Sequence, residues 1–168
     1  PVFQQTLQNS DTPSETTLLA KQCRDSSRKY HSRSWFRHEL ASALAMLQEG
    51  LSDLAVYVAA AHHGKVRLNI RSMPREKPVE RDKLIARGIS DGDALFPANL
   101  GGGVRKSAVS LSLEPAHMGA KDDQRAWSDR MLDPVATYGP FRLAYLETLL
   151  RVADERASEK AEKRKGCA

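Results

Sequence analysis

The sequence predicts a mostly α domain, a helical bundle interrupted by a small β-hairpin insertion. Three observations carry this. Apolar residues recur at helical spacing in two early segments closed by glycine and in one long late segment opened by proline. The helical signal is lost for about 60 residues between them. Inside that gap two stretches alternate apolar and polar residues as strands do.

The 168 residues, 40% hydrophobic and 28% charged, are expected to form one domain spanning 1–168 with a core that needs no staples. Residues 1–34 are polar and Ser/Thr-rich and read as a loop-rich entry. A helix follows over 35–48, with Leu40, Leu44 and Leu47 as its core stripe and Gly50 beyond its end. Ser52 can cap a second helix over 53–62 that stops at Gly64. The connection is short, so these two helices of segment 35–64 pack as an antiparallel pair.

Segment 65–135 reads as the insertion. Val66, Leu68 and Ile70 alternate like a strand, as do Val109, Leu111 and Leu113. Met73-Pro74, Lys77-Pro78, Gly92, Pro97 and Gly101-Gly102-Gly103 punctuate it as turns. A short helix is expected over 125–132. Pro140 then opens a long helix over 140–165.

Composition excludes several classes. The longest apolar run, 54–61, falls far short of the roughly 20 residues that span a bilayer, so no membrane partner is expected. Cys23 and Cys167 lie near opposite ends, which leaves no disulfide or Cys-type zinc framework and points to a reducing cytoplasm. Lys and Arg number 26 against 21 Asp and Glu, a net charge of +5 that favours a polyanionic partner or, equally, covers a solvated surface. The triple glycine lacks the Lys-Ser/Thr ending of a phosphate loop, which also excludes an ATP-driven helicase within this chain. Asp91-Gly92-Asp93 lacks the remaining ligands of a calcium loop and reads as a turn.

Four residues could build a metal site. His38 falls on the first helix, with Ala41 and Ala45 along its face. His62 and His63 end the second helix, and Leu54 and Val58 place His62 on an apolar face. Adjacent side chains on a helix point roughly 100° apart, so both can approach one centre only if the helix ends there, as Gly64 allows. Asp154 shares a stripe with Leu143, Leu146, Leu150 and Ala157, a carboxylate in an apolar seam that calls for a cation or strong donors opposite. Imidazoles with a carboxylate suit Mn, Fe, Co, Ni or Zn. The ordinary structural reading stays open beside it: His-His before glycine also suits a helix C-terminus, and Asp154 can pair with Arg151 or Arg156.

Three segments occur in an order that matters: Phe36-Arg37-His38-Glu39-Leu40-Ala41-Ser42, Ala60-Ala61-His62-His63-Gly64-Lys65-Val66-Arg67 and Ala153-Asp154-Glu155-Arg156-Ala157-Ser158. Together they resemble the HD-nuclease domain of the type I CRISPR-associated helicase–nuclease. Ile70-Arg71-Ser72, Asp91-Gly92-Asp93 and the run from Tyr138-Gly139-Pro140 to Tyr145-Leu146-Glu147 are most similar to subtype I-G, formerly I-U. The resemblance implies an HD-domain helical bundle with His38, His62, His63 and Asp154 as metal ligands. It further implies Mn, Ni, Co or Fe as the ion, with a second ion in the complete domain. The implied substrate is single-stranded DNA, opened by a crRNA-guided surveillance complex and delivered by a covalently preceding helicase domain. Lys65, Arg67 and Arg71 follow the His pair, where they could meet the phosphate backbone or simply form a solvated basic strand.

The family places a His-Asp doublet shortly before a stretch that Pro1-Val2-Phe3-Gln4 is similar to. The expectation is therefore an N-terminally incomplete domain that binds at most one metal by itself and needs an upstream segment for catalysis. Two other readings compete with the nuclease: an HD phosphohydrolase acting on nucleotides, and a catalytically dead module that binds DNA or a partner.

Overall fold

The computed structural model describes residues 36–64, 66–77, 82–95, 97–101, 103–119 and 124–164. The expected entry segment 1–34 and Lys65 lie outside the described residues. Four helices and two small antiparallel hairpins make up the described part, so the domain is mostly helical with a small β insertion.

Helix α1 (His38–Gln48) and helix α2 (Asp53–Ala61) are joined by a four-residue turn in which Gly50 takes a positive φ of 72°. That conformation costs glycine nothing and strains other residues. The Ser52 hydroxyl accepts the Ala55 N–H at 3.4 Å and caps α2, as its sequence predicts. So short a turn reverses the chain and sets the start of α1 beside the end of α2. The buried residues of the pair are mostly small: Ala41 and Ala43 on α1, Ala59, Ala60 and Ala61 on α2. Leu40 and Leu44 are buried as expected, while Leu47 is only partly so.

Helix α1 begins at His38 rather than at residue 35. Arg37 is extended (φ −110°, ψ 97°), and its N–H donates to the Arg87 carbonyl at 3.1 Å. That tertiary bond holds the chain out of the helix for the residues before it. No propensity scale reports such a bond.

The insertion is less regular than its alternation suggests. Strands β1 (Ile85–Ala86) and β2 (Ile89–Ser90) form a hairpin whose two turn residues, Arg87 and Gly88, have φ of 55° and 75°. Two-residue turns with positive φ match the twist of the flanking strands. Strands β3 (Ala94–Leu95) and β6 (Val109–Ser110) pair around a second hairpin, β4 (Ala98–Gly101) with β5 (Val104–Lys106). The strand expected at Val66, Leu68 and Ile70 does not form: the segment is irregular and Leu68 is exposed. Its Arg67 carbonyl accepts the Trp127 indole N–H at 2.7 Å instead of a neighbouring strand's amide. Of the second expected strand only Val109–Ser110 is regular. Leu111 is held by Asp93 and Gly92 backbone groups, and the Leu113 N–H donates to the Asp91 carboxylate at 2.8 Å. The Asp91-Gly92-Asp93 turn thus directs its first carboxylate to the backbone, and Asp93 accepts the Ser90 N–H at 2.8 Å.

The helix expected over 125–132 is longer. Helix α3 (Trp127–Tyr138) continues through Pro134, which removes one intrahelical donor. A proline inside a helix costs about 3 kcal/mol relative to alanine. Pro134 is buried, and its contacts with the interior offset that cost. Gly139, at φ 75°, breaks the chain before helix α4 (Pro140–Arg164). An ion-pair network ties α3 to the first turn of α2: Arg130 meets Asp53 at 2.9 Å, and Arg125 bridges Asp53 and Asp133.

One core joins the parts. Leu44 and Val56 from the helix pair, Trp127 and Met131 from α3, Leu143 from α4 and Ile89, Leu95, Leu111 and Leu113 from the insertion are all buried together. Among the described residues no helix is long and apolar enough to cross a membrane.

Trp127 is the largest fully buried side chain and the only one here whose indole fixes the loop after α2. Trp127→Phe keeps most of the apolar surface but orphans the Arg67 carbonyl. It should destabilise the fold by about 1–3 kcal/mol, read as a lower urea midpoint with unchanged slope.

Candidate metal centre

Because α1 and α2 are antiparallel, His38 in the first turn of α1 stands beside His62 and His63 at the end of α2. One nitrogen from each of the three rings falls within 4.8 Å of the other two. The ring centroids are 4.1 to 5.5 Å apart. The Nε2 atoms of His38 and His63 lie 2.7 Å apart, so one must carry the proton that the other accepts. His62 Nδ1 donates to the Ala59 carbonyl at 2.6 Å. A carbonyl can only accept, so this bond assigns the proton to Nδ1 and leaves the Nε2 lone pair free. An outer hydrogen bond of this kind is what fixes a metal-ligating imidazole in tautomer and orientation. Helix termination makes the pair possible. Gly64 turns the chain at φ 76°, and its N–H donates to the Ala61 carbonyl.

Electrostatics favour uncharged rings. Burial pushes the His38 pKa from its ordinary 6.5 to about 4, with the neighbouring imidazoles adding to the effect and Glu39 and Asp154 opposing it. His63 is lowered for the same leading reason, with His62 next. Neutral imidazole is the form that binds a metal. The donor set thus fits a divalent transition ion: three imidazole nitrogens, those of His38 and His63 held toward the neutral form, with the His62 ring already oriented by the backbone.

Asp154 does not join the three nitrogens at ligand distance. It is half-buried on α4, and its charge reaches both His38 and His63. The apolar seam expected around it is also different. Leu143 is buried, but Leu150 and Ala157 are exposed, and the inward face beyond Leu146 carries Asp154 and the buried Ser158. Leu149 and Leu150 thus stay exposed on the helix although Ser158, further along it, is buried. Tyr57 donates to Glu147 and joins α2 to α4, and burial with that carboxylate raises its pKa to about 12.

Sequence reasoning passed over Glu39. It is only 8% exposed, lies 3.7 Å from an Arg37 guanidinium nitrogen and 3.9 Å from His38 Nδ1. The signal was available, since Glu39 precedes the buried Ala43 by four residues on the same helical face. Of the basic residues expected after the His pair, Arg67 is partly buried and Arg71 exposed. Compared with protein-family profiles, curated proteins and solved structures, the chain matches none.

The lowered His38 pKa sets a pH dependence for the metal-free protein. The unfolded chain binds this proton near pH 6.5 and the folded one only near 4. Folded-state stability is therefore complete above 6.5 and declines as pH falls from there toward 4, by at most roughly 3 kcal/mol. Urea unfolding in EDTA should show the decline, and His38→Gln should flatten it.

Proposed function

We propose that this chain is a metal-dependent phosphodiesterase, the nuclease domain of a type I CRISPR helicase–nuclease, acting on single-stranded DNA. The observation that supports the chemistry is the convergence of His38, His62 and His63 at one end of a helix pair. The resemblance in sequence supplies the substrate class and the partners: a preceding helicase domain and a surveillance complex. A bound Mn, Ni, Co or Fe ion would stabilise the negative oxygens of the phosphodiester during displacement.

The chain's own residues supply the rest. His62 offers Nε2 while the Ala59 carbonyl holds its other nitrogen. Glu39 and Asp154 place negative charge around the imidazoles, which raises their basicity and favours a cation among them. Asp154 is half-buried and its charge reaches His38 and His63; in this reading it would accept a proton from an attacking water or ligate a second ion. Arg67 and Arg71 lie on the segment that leaves the His pair and carry positive charge for the strand's phosphates.

The test is cleavage of a labelled single-stranded oligonucleotide by the full-length protein with added Mn or Ni. Cleavage should require the metal, and His63→Ala should reduce it by roughly 100-fold together with metal affinity. Hydrolysis of free nucleotides with intact DNA would replace this reading by a nucleotide phosphohydrolase. Metal-independent DNA binding without cleavage would replace it by a binding module.

A further inference from the structure

Beside the start of α1 lies a pocket of whose arginines the mechanism above uses only Arg67, with Arg71 at its edge. Arg37, Arg67 and Arg87 line it together with Glu39, Leu40, Ala60, Ile70 and Trp127. Space at its base is about 10 Å³, room for one water-sized atom. Arg71 is near enough to act on Arg87 as a like charge, as are Arg67 and Arg37. Burial is the leading cause that depresses the Arg87 pKa, and these neighbours add to it.

Four guanidinium groups thus share a region with two carboxylates, and neither carboxylate forms a direct ion pair with Arg87, although the Glu76 charge reaches it. Glu39 pairs with Arg37 and His38. Glu76 accepts the backbone N–H groups of Met73 and Gly88. Arg87 itself meets only the Met73 sulfur through Nη1, at 2.6 Å, while its buried Nε has no hydrogen-bond partner. Its backbone stands at φ 55°, a region glycine favours, although Gly88 is next to it. A strained, desolvated, unsatisfied cation in a cluster of like charge stabilises nothing in the fold as described. An anion completes it.

We infer that the pocket formed by Arg37, Arg67 and Arg87, with Arg71 at its edge, binds a phosphoryl group. The pocket's enclosed space of about 10 Å³ takes one oxygen of a phosphoryl group and is too small for a base or a sugar ring. Guanidinium forks suit the paired oxygens of such a group, and the free Arg87 Nε is the natural donor to one of them. His38 and Glu39 follow Arg37 directly, so the bound phosphate sits next to the imidazole group, where a substrate's neighbouring phosphate would be held. The role of that phosphate rests on the phosphodiesterase reading; the binding site does not.

The experiment is equilibrium binding of a fluorescein-labelled oligothymidylate to the full-length protein in EDTA, where cleavage plays no part, across a salt series. Arg87→Gly suits it, because glycine adopts this φ without strain while the guanidinium is lost. Affinity should fall roughly tenfold and the salt slope by about one phosphate contact, with the thermal midpoint not lowered. Arg67→Gln and Arg71→Gln together should weaken binding in the same direction and serve if the glycine variant does not fold. Because EDTA removes any metal, a loss of binding in Arg87→Gly reports on this site, while the cleavage assay with added metal reports separately on the metal reading. Displacement of the label by inorganic phosphate or dTMP as readily as by unlabelled oligonucleotide supports the site with a free nucleotide as its phosphate source. Displacement by the oligonucleotide alone supports it with a strand as the source. Unchanged affinity and salt slope in Arg87→Gly overturn it.

Discussion

The close packing of two short helices through alanine is the constraint on which the rest of this structure depends. With Ala41 and Ala43 on one helix and Ala59, Ala60 and Ala61 on the other buried, little side-chain bulk separates the backbones. The start of α1 and the end of α2 can then share one small volume. A larger side chain at these positions would spread the helices and carry His38 away from His62 and His63. The imidazole group is a consequence of this packing as much as of the histidines themselves.

A second layer of constraint comes from the insertion, which reaches back to the helix pair at two points. The Arg87 carbonyl holds the Arg37 N–H and so fixes where α1 begins. Trp127, buried at the start of α3, holds the Arg67 carbonyl and so fixes the path of the chain after the His pair. One is a backbone–backbone hydrogen bond and the other a part-buried bond from an indole N–H to a backbone carbonyl, and leaving such a buried partner unmade is costly. Their effect is to bring Arg37, Arg67 and Arg87 to one pocket.

These two layers carry opposite electrostatic demands. His38 and His63 are driven toward their neutral form by burial and by the neighbouring imidazoles, which suits a cation. A few residues away, the arginines keep positive charge that the nearby carboxylates do not balance, which suits an anion. Glu39 stands at the boundary and faces both sets, pairing with Arg37 and lying beside His38. Under the proposed function, these adjoining preferences would serve a phosphodiester and its counter-ion.

Much of this was legible in the residues themselves. Glycines at 50 and 64, the Ser52 cap and the leucine and alanine periodicity determined the helix pair and its antiparallel sense, because caps, turns and helical spacing are local properties of the chain; the meeting of His38 with His62 and His63 needed the packing of the pair as well. Pro140 after Gly139 determined the long last helix for the same reason. Only the tertiary structure decided that residues 66–70 form no strand, that α1 starts at His38 and that α3 runs through Pro134. In each case a distant partner (the Trp127 indole, the Arg87 carbonyl, the buried surroundings of Pro134) outweighed the local preference. Asp154 and Glu39 show the same division. Sequence spacing could place both on helix faces, but their burial and their distance from the imidazoles depend on what packs opposite, and one chain's periodicity carries no record of its neighbours.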